Sequence, residues 1–152
     1  MFMIPRNRLK YIPKDLRFNH KYCYYLHDQC LKLLRDMQKA EGDLVKIPYE
    51  EEELKVFEEI ANESNTINAL RNTSKHEEAK RVILNAVIIK MTEDALHYIF
   101  ESLKCLEKRK TSVAMTLLRK PLTDHQMYLT WVLTYERAFY KAFTEAPTEL
   151  EK

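Results

Sequence analysis

Arg71-Asn72-Thr73-Ser74-Lys75-His76 sets a permanent cation, amide and hydroxyl groups and a titratable imidazole within six residues of a 152-residue chain. A guanidinium can hold a phosphate through two parallel hydrogen bonds. An imidazole can take or give a proton near neutral pH. RNA cleavage by its own 2′-hydroxyl needs that combination: a proton-transfer group near the hydroxyl and a cation on the phosphate, with no metal. Arg119 and His125, flanking Pro121, form a second Arg–His pair and a competing placement. With nine Arg and five His in the chain, such a spacing is expected about once by chance, so location must carry the argument.

The location of the first pair is a helix junction. Ser74 followed by Glu77 is a capping-box pattern. With Ser74 as N-cap, His76 sits in the first turn, where the helix dipole favours the neutral ring, and the free first-turn amides can bind an anion. Glu77 and Glu78 act in the opposite direction, repelling a phosphate and raising the imidazole pKa.

Arg71-Asn72-x-x-x-His76 resembles the Arg-x(4–6)-His motif of the HEPN superfamily, including the polar residue after the Arg. That resemblance covers one short motif and the order of helices. It implies an all-α bundle of four or more helices and, in many members, a metal-independent RNase of toxin–antitoxin or antiphage systems acting as a homodimer. Carried over, Arg71 and Asn72 would orient the scissile phosphate and His76 would serve as general acid or base.

The elements that must position these residues are helices. One glycine, Gly42, leaves no supply of tight sheet turns, and apolar residues recur at helical period through most of the chain. Hydrophobic residues make up 45% and charged residues 32%, which excludes a disordered chain. The length suits a single domain, 1–152, with a basic arm over 1–17 and a fraying tail over 146–152. The fold class expected is all-α: an antiparallel bundle of four main helices, a long third helix and a Pro-kinked fourth.

The first helix is expected from about Asn19 to Ala40. Tyr22, Leu26, Leu33 and Met37 mark its apolar face, and Gly42-Asp43 ends it. The second starts near Pro48 with an acidic first turn, Glu50 to Glu53. The third runs from about Lys75 to Lys108. The fourth, capped by Thr111 or Ser112, meets Pro121 and continues over 124–145 with Tyr128, Trp131, Tyr135, Phe139 and Phe143. That apolar surface is broader than one core face requires, so the fourth helix is either central or packed against another copy of the protein.

The basic arm carries Arg6, Arg8, Lys10, Lys14 and Arg17 and is expected to lie over the bundle with its charges outward. A net charge of +2 does not by itself call for nucleic acid or an anionic membrane. Glu93, His97 and Glu101, with Asp94-x-x-His97, resemble half of a carboxylate-bridged metal site, but the other half is missing; an ion-pair stripe is the simpler reading. No cofactor and no metal are expected. Cys23, Cys30 and Cys105 lack metal-ligand spacing and point to a reducing, cytoplasmic setting. No apolar run reaches the length of a membrane span. Two functions follow as expectations: an RNase or RNA-binding homodimer, or a non-enzymatic module docking a protein through its aromatic fourth helix.

Overall fold

A computed structural model describes residues 4–42, 44–63, 66, 69–70 and 75–145. Two short 3-10 turns, Arg6–Leu9 and Lys14–Leu16, precede helices α1 (Arg17–Lys39), α2 (Glu51–Glu63) and α3 (His76–Glu107). Then follow α4 (Thr111–Lys120), a π turn over Pro121–His125, α5 (Gln126–Thr134) and α6 (Glu136–Glu145). No strand occurs among the described residues, and the fold is an all-α bundle.

Continuous rods number five among the described residues rather than four main ones, for two reasons. Pro121 does not break the fourth helix. Its ring lacks an N–H and would clash in an α-turn, and the chain absorbs it by widening to a π turn, so α4 and α5 form one rod. Tyr135 (φ −133°, ψ 50°) then ends that rod inside what the sequence suggests is a single helix. Thr123, Thr116 and Thr134 each donate a hydroxyl to the carbonyl four residues back, a bond that competes with the helix ladder and bends it.

α3 is the central helix, a place the sequence offers to the fourth. α1 runs antiparallel to it: His20 meets Glu107, and Tyr24 and His27 pack on Phe100. The α4–α5 rod runs antiparallel along another side, and α6 starts where that rod ends. Ser102 Oγ donates to the Ala114 carbonyl at 3.0 Å, Lys120 meets Tyr98, and Lys80 meets Glu136. Ser102 and Ala114 are fully buried, and their small side chains let α3 and α4 approach closely. Two apolar clusters close the ends of α3: Ile4, Leu9, Ile12, Tyr24 and Leu103 at one, and Leu84, Val132 and Phe139 at the other.

Helix ends reveal how a chain with one glycine turns corners. α1 and α3 both end in Schellman motifs whose left-handed residues are Glu41 (φ 53°) and Arg109 (φ 58°). Gly42 N–H donates to Met37 O and Glu41 N–H to Gln38 O; Lys110 N–H donates to Cys105 O and Arg109 N–H to Leu106 O. Gly42 thus sits one position beyond the residue that needs its freedom. The starts are also uncapped: Leu16, Lys75 and Lys110 occupy the N-cap positions of α1, α3 and α4 without a side-chain bond. Asn19, Thr111 and Ser112, read as caps, lie inside helices, and Ser74 lies outside the described residues.

α1 reverses its expected orientation. Its buried residues are His20, Tyr24 and His27. Tyr22, Leu26 and Leu33 of the expected apolar face, with Phe18 and Tyr25 beside them, face solvent, Phe18 75% and Leu33 69% exposed, and Met37 is half-buried. Burial of an aromatic polar face required partners, and α3 supplies Glu107 and Phe100.

Candidate functional site

Arg71 and Asn72 lie outside the described residues. His76 opens α3 and is exposed. Its neighbour Glu77 is bound to Lys80 at 2.7 Å, which holds the Glu77 carboxyl below its ordinary pKa. Lys80 also reaches Glu136 of α6 at 3.2 Å. At the competing placement, Arg119 is exposed, its carbonyl taken by the Thr123 hydroxyl. His125 is buried, its ring 6.0 Å from that of Tyr98. No hydrogen bond joins Arg119 to His125 among the described residues.

The acid–His stripe of α3 resolves into separate pairs. Glu93 meets Lys90 at 3.5 Å, Glu101 meets Lys104 at 2.9 Å, and His97 is exposed. Among the described residues no group of three His, Cys, Asp or Glu converges as a metal site would require.

Larger openings lie elsewhere. A groove of about 970 Å³ runs between α3, the π turn, α5 and α6. Its walls are apolar: Met91, Met127, Tyr128, Trp131, Phe139 and Phe143. The break at Tyr135 builds it, because α6 folds back and sets Phe139 edge-on to Trp131 (5.3 Å, 88°) and stacked with Phe143 (5.9 Å, 15°). Lys90 and Lys120 line the same groove with a single acid, Asp124. The Lys120 ammonium donates to Tyr98 Oη at 3.1 Å and lies 4.8 Å over that ring, which raises its pKa. His125 lies along the groove with Nδ1 buried and without a hydrogen-bond partner among the described residues, an orphan that costs free energy as it stands.

A second groove, about 840 Å³, separates α1 from α3 and is lined by Lys32, Arg35, Glu93 and His97 together with buried His27 and half-buried Phe100. Its charges nearly balance, and His27 already meets Asp28 at 3.2 Å.

Sequence reasoning missed the most connected polar group in the molecule. Arg8 Nε and Nη2 donate to the two Glu107 oxygens at 2.7 and 3.0 Å, and Nη2 also donates to Tyr24 Oη at 3.1 Å. His20 Nε2 lies 3.1 Å from Glu107 Oε1. Arg8, expected to point outward with the rest of the basic arm, is thereby turned onto α3. Burial raises the Glu107 pKa, but the bonds from Arg8 and His20 outweigh it and hold the carboxyl below its ordinary value. Burial pushes the Tyr24 phenol up, as does the Glu107 charge beside it. The signal available in the sequence was His20, Tyr24 and His27 lying on one face of α1. Each member of this tetrad is bonded to another member, so its chemistry is that of a latch.

No family model matches the chain, and neither curated proteins nor solved structures give a match. Among the described residues, no helix is long and apolar enough to cross a membrane.

Proposed function

We propose that this chain is a protein–protein interaction module that receives an amphipathic helix with acidic flanks in the groove between α3, α5 and α6. One observation carries the reading: a ring-walled apolar trough of about 970 Å³, with two lysines against one acid along it. Helix-in-groove recognition works through apolar anchors one turn apart, and peripheral charge sets orientation and on-rate. Met127, Tyr128 and Phe143 are exposed although they line the trough, so bound anchors would remove apolar surface from water.

Calorimetric titration tests this with two designed helical peptides of about 14 residues, sharing apolar i, i+3, i+7 anchors and flanked by Glu in one and Lys in the other. The reading expects saturable binding of the Glu-flanked peptide and a loss of at least about tenfold in Tyr128→Glu or Lys90→Glu/Lys120→Glu, each costing about 1.4 kcal/mol or more. Equal affinity for both peptides, or unchanged binding in both variants, would contradict it.

A second reading has one observation in its favour. His76 is exposed in the first turn of α3, and the Glu77 beside it is neutralised by Lys80, which lessens the acidic field around the imidazole. We therefore also propose, below the first reading, a HEPN-like metal-independent RNase acting as a homodimer in a toxin–antitoxin or antiphage setting, with Arg71, Asn72 and His76 at its centre. Cleavage of single-stranded RNA in EDTA, abolished by His76→Ala with helicity intact, would support it. Equal cleavage by the wild type, His76→Ala and His125→Ala would sink it.

A further inference from the structure

The outward face of α1 lies apart from that groove. Phe18, Tyr22 and Tyr25 stack in a row on it (ring centroids 6.2 Å and 6.1 Å apart), with Leu26 and Leu33 continuing the stripe. One edge of the stripe is cationic. Lys21, Lys32 and Arg35 are exposed there and make no ion pair among the described residues, while the nearby Asp28 is engaged by His27. Such a face fits an apolar helix with an acidic border, and it disfavours a second α1, whose own cations would come opposite.

This chain contains a helix of that description. α2 carries Glu51, Glu52, Glu58 and Glu59, all exposed and without ion pairs among the described residues. Leu54 and Ala61 lie two turns apart on one side of it, with Glu51 and Glu58 beside them at helical spacing. Phe57 and Ile60 are half-buried on the inner side of α2, Phe57 against the Tyr49 ring, while Leu54 and the four glutamates are exposed, so the outer side of α2 is open. Lengths agree: α2 spans about 19 Å and the stripe from Phe18 to Leu33 about 22 Å at ~1.5 Å per residue. The exposed apolar area also agrees. Taking ~200 Å² per large side chain, the five α1 residues with Leu54 of α2 offer about 650 Å² per copy, approaching the ~800 Å² per partner of a stable interface.

We infer that α1 of one copy receives α2 of a second copy, and that the contact is made twice across a two-fold axis, giving a closed dimer. Apolar burial along the stripe supplies the attraction, and Lys21, Lys32 and Arg35 against the α2 glutamates set orientation and partner.

Mass measurement on the full chain by light scattering or sedimentation is the test. The expected result is twice 18.2 kDa at tens of micromolar, with weakening at high salt as screened charge pairs require. Lys21→Glu/Lys32→Glu/Arg35→Glu should yield a monomer of unchanged helicity. A second variant, Glu51→Lys/Glu52→Lys/Glu58→Lys/Glu59→Lys, should also be a monomer alone. Mixing the two should restore the dimer mass, since each contact then pairs opposite charges again. A monomeric wild type, a dimer indifferent to the α1 variant, or two monomers that stay apart on mixing would each overturn the inference. So would a monomer binding labelled single-stranded RNA through this face, with loss in Phe18→Ala/Tyr22→Ala. Peptide binding in the α3–α5–α6 groove uses none of these side chains, so it should persist in the monomeric variants, and the two readings fail separately.

Discussion

The two ends of α3 solve the same packing problem in opposite ways. At its C-terminal end, an apolar cluster is closed over by the bonded set of Arg8, His20, Tyr24 and Glu107. Nearer its N-terminal end, larger rings from α5 and α6 meet Leu84, yet they leave an open trough of about 970 Å³. Polar satisfaction fixes geometry because each donor needs its acceptor at one distance. Aromatic edge contacts cover area but tolerate a gap beside them. The latched end therefore suits stability and the open end suits recognition.

The sharpest way to break that contrast is Phe139→Ala, which removes the ring shared by the core cluster and the trough. The cost expected is about 3–5 kcal/mol, measured by urea unfolding. Glu107→Ala comes next. It strands Arg8 and His20, but Arg8 is more than a third exposed, so about 2–3 kcal/mol is expected rather than the full cost of a broken buried pair.

Glu107 also adds a pH dependence. Its folded pKa is depressed below that of a free glutamate, so its contribution is complete above the free value and is lost as pH falls through the folded one. Glu107→Gln should flatten the acid limb of the stability curve, while Glu77→Gln, at a fully exposed carboxylate, should leave it nearly unchanged. Equal acid limbs in wild type and Glu107→Gln would remove the latch from the account.

Smaller effects sharpen the picture. Glu41→Gly should stabilise by about 1 kcal/mol, since it relieves a left-handed backbone that L side chains avoid. Arg109→Gly should gain less, because Arg109 lies 4.3 Å over the Tyr11 ring and gives that contact up. Tyr128→Glu should alter stability by less than about 0.5 kcal/mol, in keeping with a trough residue half in solvent.

Helical period made the elements legible. α3 is expected from about Lys75 to Lys108 and observed at His76–Glu107, because its apolar residues repeat without interruption over the whole length. Orientation was harder to read. In α1 the apolar stripe and the His/Tyr face are both plausible inner surfaces, and the choice rests on Glu107 and Phe100, far away in sequence. The break at Tyr135 was hidden for a similar reason. A single aromatic period runs through 128–143, and only the folded-back contact of Phe139 with Trp131 reveals two helices sharing it. The trough was thus half legible: its rings could be named from sequence, but its shape depends on a bend that periodicity does not record. Of the Arg–His motifs, the helix start at His76 was readable, whereas the burial of His125 follows from the π turn at Pro121.

Trp131, the single tryptophan, lines the trough and reports on it directly. Its emission during titration with the Glu-flanked amphipathic peptide is the most direct measurement of whether the open end of α3 is a docking site. A saturable shift to shorter wavelength, absent in Tyr128→Glu, is the result expected. An emission spectrum unchanged at millimolar peptide would contradict the account.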